Sequence, residues 1–223
     1  MAWRKEQSRD QYFRLAKEEG YRARSAYKLI QLANRFRLLK PGRIVLDRGA
    51  APGGWSQVVA SRVGEEGRVV AVDLQEIEPL PGVITLRGDI REDETIAQIH
   101  EALGEPADVV ISDVSPQISG IGPTDHARSI ELGAISLSIA LEVLQPGGAF
   151  VVKLFRGDDF DRFMALVRRY FRTVRSHVPR ATRQESRESY VVGLSLIANQ
   201  LADPETLLAM LPDALTTEAE KRE

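Results

Sequence analysis

The chain of 223 residues fits one large domain with extensions; 43% hydrophobic residues supply a core, and 28% charged residues are ordinary for a soluble protein. There is no cysteine, which excludes disulfides and thiolate metal sites. No apolar run approaches the roughly 18 residues that a membrane span needs, and the formal net charge is −2.

That small net charge hides segregation. Met1 to Arg43 holds 12 Lys/Arg against 4 Asp/Glu, and Arg162 to Arg187 holds 8 Arg against Glu185 alone. Glu76 to Asp108 holds 9 acids against 2 Arg. Basic segments distant in sequence can meet on one face and attract phosphates; solvated helix faces are the alternative. The start, Met-Ala-Trp-Arg-Lys-Glu-Gln, lacks the apolar core of a signal peptide, so a cytoplasmic protein is expected.

In chain order, Arg9–Glu19 reads as a polar helix punctuated by Gly20. Ser25 caps a second helix, Ala26–Leu39, whose Leu29, Ile30, Ala33 and Phe36 follow the helical period. Lys28 lies in its first turn. Pro41-Gly42 ends this basic arm of residues 1–40. The first strand, Arg43–Asp47, runs into Gly49-Ala50-Ala51-Pro52-Gly53-Gly54, and a helix follows from Trp55 to Val63. Glycines at such a turn allow a ligand close to the backbone, and the helix start offers unpaired N–H groups. A tight turn without a ligand is the bland alternative.

Strand two, Arg68–Asp73, ends in an acid able to accept from ribose hydroxyls. Strand three, Val83–Leu86, closes at Gly88-Asp89. Turn and cap chemistry is the alternative for Asp73 and Asp89, but two acids at matching strand ends favour a ligand. A helix over Glu94–Leu103 precedes strand four, Ala107–Ser112, with Asp113 just beyond. The Gly- and Pro-containing loop Val114–Thr124 leads to a long helix, Ala127–Leu144. Strand five, Ala149–Leu154, is interrupted by Lys153. Helix Asp159–Tyr170, strand Thr173–Val178 and strand Tyr190–Ile197 follow, the last two forming an antiparallel hairpin near the sheet edge. The alternation argues for an α/β domain over residues 41–200, with a mostly parallel sheet covered by helices on both faces. Residues 201–223 read as an acidic tail with a loosely attached helix.

Lys28, Asp113, Lys153 and Glu188 are the charged residues that could do chemistry. A lysine inside an apolar strand is costly to bury unless paired, and Asp113 or Glu188 could pair with Lys153. A purely structural ion pair is the alternative. Burial lowers a lysine pKa and a carboxylate raises it, so either proton abstraction or hydroxyl positioning is compatible with the sequence. His100, His126 and His177 have no ligand spacing and read as structural or exposed; no metal is expected. Trp3, Tyr12 and Tyr21 could stack on unpaired bases or pack onto the domain.

The segments RARSAYKL (Arg22–Leu29), LDRGAAPGGWSQV (Leu46–Val58), VVAVDL (Val69–Leu74), GDI (Gly88–Ile90), SDVSP (Ser112–Pro116), VVKLF (Val151–Phe155) and RATRQESRESYVV (Arg180–Val192) occur in this order. Together they resemble the FtsJ/RrmJ family of RNA ribose 2′-O-methyltransferases. The resemblance implies a Rossmann-like, seven-stranded, S-adenosylmethionine-dependent methyltransferase fold. It implies a catalytic set at Lys28, Asp113, Lys153 and Glu188, with Lys153 as base. It places donor contacts at Gly53, Trp55, Asp73, Asp89 and Asp113.

The implied substrate is RNA, foremost a uridine of large-subunit (23S-type) ribosomal RNA, acted on by a monomer. The tRNA anticodon loop, a non-catalytic RNA-binding assembly factor and a small-molecule methyltransferase are the other readings. Arg48 departs from the family's apolar or small residue; strand alternation points it with Leu46, where its guanidinium needs water or an acid.

Overall fold

In a computed structural model of the protein, residues 10–197 and 201–211 are described. Trp3, Arg9 and most of the acidic tail lie outside them. Seven strands form one sheet, in the order Ile84–Arg87, Arg68–Asp73, Ile44–Arg48, Ala107–Ser112, Leu144–Phe155, Glu188–Leu196, Phe171–His177. By contacts the chain divides into two compact units: the N-terminal part through Glu105 together with Pro179–Ser186, and Pro106–Val178 together with the chain from Arg187 onward.

In the first unit, α1 spans Gln11–Glu18, and the Asp10 side chain caps it by accepting from Tyr12 and Phe13 N–H. Helix α2 spans Ala26–Phe36 and buries Lys28, Leu29, Leu32 and Ala33. It stops at Phe36 rather than Leu39 because Arg37 turns left-handed, with φ 54°. Strands β1 (Ile44–Arg48), β2 (Arg68–Asp73) and β3 (Ile84–Arg87) pair in parallel. Helix α3 (Gly54–Val63) follows β1, and α4 (Asp93–Leu103) follows β3 with two acids in its first turn, where the helix dipole favours them.

The returning segment Pro179–Ser186 packs on the arm: Arg24 Nη2 donates to Ala181 O at 2.6 Å, and Ala181 N–H donates to Gln31 Oε1 at 3.3 Å. Asp10 is ion-paired with both Arg24 and Arg183. Tyr12 and Tyr21 sit against Tyr27, with ring centroids 5.3 and 5.7 Å away. These aromatics therefore pack within the unit, the second of the two roles the sequence allowed.

In the second unit, β4 (Ala107–Ser112) is parallel to β5 (Leu144–Phe155), and β7 (Glu188–Leu196) runs antiparallel to both β5 and β6 (Phe171–His177). The long helix α5 is Gly122–Val143, starting well before Ala127. Pro123 sits in its first turn, where the ring's fixed φ suits a helix and its missing N–H costs nothing. Strand β5 begins at Leu144 rather than Ala149, taking in Pro146-Gly147-Gly148. Helix α6 is Phe160–Arg168, and α7, Pro204–Ala209, packs on α5 with Leu207 fully buried. The helix expected to be loosely attached is thus anchored.

Phe150, Phe163, Phe171, Leu137 and Tyr190 are fully buried and form the centre of this unit. Gly193 pairs with Phe150 on one side and Val174 on the other, and a Cβ there would lie 2.7 Å from the Phe171 ring. Gly193→Ala should therefore destabilise the protein by about 1–3 kcal/mol, the usual cost of overpacking. Urea unfolding would show this as a lowered midpoint; an unchanged midpoint would mean the ring moves aside freely.

Candidate active site

The loop after β1 is shaped by its glycines. Gly49 N–H donates to Val72 O at 2.8 Å, and Gly53 N–H to Ala50 O at 2.6 Å. Gly53 has φ 104°, and a Cβ there would meet Leu80 Cδ1 at 2.8 Å and Arg22 Nη1 at 3.1 Å. Only glycine fits both the backbone and the space. Below the loop, Ser56 Oγ donates to the buried Asp47 carboxylate at 2.6 Å, tying the start of α3 to β1.

Asp73, at the carboxyl end of β2, accepts from Ala51 N–H at 3.0 Å through one oxygen and from Gln75 N–H at 2.8 Å through the other. A carboxylate has about four lone-pair sites, so hydroxyls can still be accepted. Asp89 is held by Arg91, whose Nε lies 3.0 Å from each carboxylate oxygen. Those hydrogen bonds outweigh partial burial and hold the Asp89 carboxyl below its ordinary range. The Trp55 side chain is 3% exposed and its indole N–H donates to Ser25 O at 2.8 Å. The indole is thus packed inside the unit, with the Trp55 backbone in the first turn of α3.

Arg48 is buried, as are Val45, Leu46 and Asp47 before it on both faces of β1. Burial pushes its guanidinium pKa down to about 10, while the charges of Asp89 and Asp73 act in the opposite sense. The acids that this arginine needs are thus the two at the strand ends.

Arg22 was not among the expected site residues. Its Nη1 donates to Pro52 O at 3.1 Å and Glu78 O at 2.7 Å, and its Nη2 to Pro79 O at 2.9 Å. One guanidinium fastens the glycine loop to the loop after β2. Lys28, in the same unit, is buried on α2.

In the second unit, Lys153 Nζ donates to Asp113 O at 2.7 Å and lies 3.2 Å from Asp113 Oδ1. The two side chains are 6% and 15% exposed, so the pair is largely shielded from water. Tyr190, opposite Lys153 in the β5–β7 ladder, donates its hydroxyl to Asp113 Oδ1 at 2.7 Å. Tyr190 was missed because a tyrosine in an apolar strand reads as core. Glu188 is opposite Phe155 in the same ladder and half-buried.

His126 is buried: Asp159 N–H donates to its Nε2 at 3.0 Å, and its Nδ1 is 2.9 Å from Phe155 O. Ser129 Oγ accepts from Phe155 N–H at 3.1 Å. Helix α5 thereby clamps the chain that follows β5.

A family model described as FtsJ-like methyltransferase matches residues 21–196. The chain belongs to the FtsJ-like methyltransferase family. The segment that matches this family contains the glycine loop, Asp73, Asp89 and the Asp113–Lys153–Tyr190 group. A ribosomal RNA large subunit methyltransferase E of Methanothrix thermoacetophila is 53% identical over 190 residues, covering 85% of this chain and 74% of the relative. One of the same description from Azoarcus sp. is 45% identical, covering 87% of this chain and 96% of the relative.

Among solved structures, a Plasmodium falciparum protein assigned to the ribosomal RNA methyltransferases matches with TM-score 0.72 at 28% identity, over 80% of this chain and 100% of that one. The Aeropyrum pernix fibrillarin structure, with natively bound S-adenosyl-L-methionine, shares the fold at TM-score 0.53 and 16% identity, over 76% of each chain.

Proposed function

We propose that the protein transfers a methyl group from S-adenosylmethionine to a ribose 2′-hydroxyl of large-subunit ribosomal RNA. The observation that carries this reading is the shielded Lys153–Asp113 pair, with Tyr190 on the same carboxylate, in a methyltransferase-family chain. Its relatives are described as large-subunit ribosomal RNA methyltransferases.

The residues fit the donor. Gly53 gives the loop its left-handed turn, and Asp73 has room to accept from ribose hydroxyls at the carboxyl end of its strand. Asp89, kept ionised by Arg91, is a second acceptor, and Trp55 contributes backbone; the family resemblance adds Asp113. When bound there, S-adenosylmethionine supplies a methyl already activated by its sulfonium.

What this chain must add is alignment and removal of one proton. Lys153 gives one N–H to Asp113 O, with the Asp113 carboxylate 3.2 Å away; as a neutral amine it turns its lone pair to the ribose hydroxyl, takes that proton and becomes the ammonium beside Asp113. Tyr190 fixes the Asp113 carboxylate; the family resemblance adds Lys28 and Glu188 to the charged set. No covalent enzyme intermediate is needed, because the ribose oxygen can attack the methyl directly. A monomer with the basic arm turned to RNA in the cytoplasm is part of the same reading.

Mapping 2′-O-methyl groups in ribosomal and transfer RNA with and without the gene tests it. One large-subunit position should lose its methyl without the gene. Loss confined to a tRNA anticodon loop would move the substrate; no loss in either RNA would contradict RNA methylation.

A further inference from the structure

The loop between β4 and α5 carries a feature that the methyl-transfer chemistry does not use. Ile118 is 68% and Ile121 61% exposed, two of the most exposed large apolar side chains among the described residues. Between them the backbone is pinned. The buried Asp125 carboxylate accepts from Ser119 N–H at 2.8 Å, Ser119 Oγ at 2.7 Å and Gly120 N–H at 3.1 Å. Ile121 N–H donates to Ser119 Oγ at 3.2 Å. The two isoleucines are therefore presented on a braced tip, which lowers the entropy lost when something binds them.

Cations flank the tip. Arg128 is exposed and donates to Gln117 O at 3.3 Å, and the exposed Arg187 guanidinium lies against Gly122. Asp113, the partner of Lys153, opens this loop. Two exposed aliphatic side chains on a braced backbone, with a guanidinium at each end, match a nucleic acid strand, which offers an apolar base face between phosphates. A protein partner would satisfy the isoleucines but would not by itself call for both cations.

We propose that Ile118 and Ile121 form an apolar wedge that packs against an unpaired base beside the target nucleotide, with Arg128 and Arg187 on the flanking phosphates. A ribose held in a stacked helix cannot bring its 2′-hydroxyl up to a shielded lysine. Apolar side chains are the usual means of prising a base step apart. The wedge would hold the strand splayed while Lys153 meets the hydroxyl. This inference rests on the RNA substrate proposed above.

The test uses the full chain and unmodified large-subunit ribosomal RNA transcribed in vitro. Ile118→Ser/Ile121→Ser should lower kcat/KM for RNA by about tenfold or more, within the range lost when base-stacking contacts are truncated. Its donor affinity and Tm should not change, because both side chains are exposed. The salt dependence of RNA binding should keep its slope in this variant, whereas Arg128→Ala should reduce it by about one. Ile118→Phe/Ile121→Phe should restore or exceed wild-type activity.

Wild-type activity on this RNA with an unimpaired serine variant would overturn the wedge alone. Impairment seen only on ribosomal subunits and not on protein-free RNA would also overturn it, in favour of a protein contact. No methyl transfer to either substrate by the wild-type protein would overturn the RNA reading, and the wedge with it.

Discussion

Lys153→Arg and Lys153→Met should each lose nearly all methyl transfer while keeping the fold and donor binding. Lys153 donates to Asp113 O at 2.7 Å, lies 3.2 Å from the Asp113 carboxylate, and interrupts an otherwise apolar run. Arginine preserves the charge and can still pair with Asp113, but its guanidinium does not give up a proton at working pH. Methionine fills a similar slot with no charge. Removing one partner of a buried ion pair costs about 3–5 kcal/mol. Here Asp113 retains the Tyr190 hydroxyl and is 15% exposed, so the stability loss should fall below that range. General-base assistance is typically worth about 10²–10⁴-fold, and misplacing the hydroxyl adds to the loss. Single-turnover methyl incorporation at saturating donor and RNA reads the effect directly. If arginine stays within a few-fold of wild type, Lys153 positions the hydroxyl but does not take its proton.

Asp73→Ala should weaken binding of S-adenosylmethionine and of its demethylated product alike. Two losses coincide in this variant. The donor's ribose loses an acceptor, and Ala51 N–H loses the oxygen that braces the glycine loop. A hydrogen bond to a charged group is worth about 1.5–3 kcal/mol, so affinity should fall about ten- to hundredfold. Asp73→Asn keeps one acceptor oxygen and should lie between. Calorimetry gives the affinities, and amide exchange at Ala51 separates the two losses. Unchanged affinity in the alanine variant would remove Asp73 from the donor site.

Much of this was legible in the sequence, for identifiable reasons. Strands β2 and β4 fall at Arg68–Asp73 and Ala107–Ser112, the limits read from the sequence, because each is an apolar run ended by a polar stop. That Lys153 pairs with a carboxylate was legible, because a lysine in such a run has to find one; the sequence left Asp113 and Glu188 open, and the structure pairs it with Asp113. Two misplaced limits lie where proline and glycine act against their usual reading: Pro123 starts a helix, and Pro146-Gly147-Gly148 lies within a strand.

The supporting residues were the least legible. Arg22 acts on carbonyls at Pro52, Glu78 and Pro79, and His126 acts on the backbone of Phe155 and Asp159. A backbone group carries no residue signature, so neither contact could be inferred from residue types. The Tyr190 hydroxyl on Asp113 was hidden in another way, by a side chain whose apolar body suits the core.

The most direct measurement is the fate of a labelled methyl group. Purified protein is incubated with methyl-labelled S-adenosylmethionine and unmodified large-subunit ribosomal RNA or subunits, and the RNA is digested to nucleosides. The account predicts label in a single 2′-O-methylated nucleoside, uridine foremost, and almost none with Lys153→Arg. Label on a base, or label that persists undiminished in the arginine variant, would contradict it.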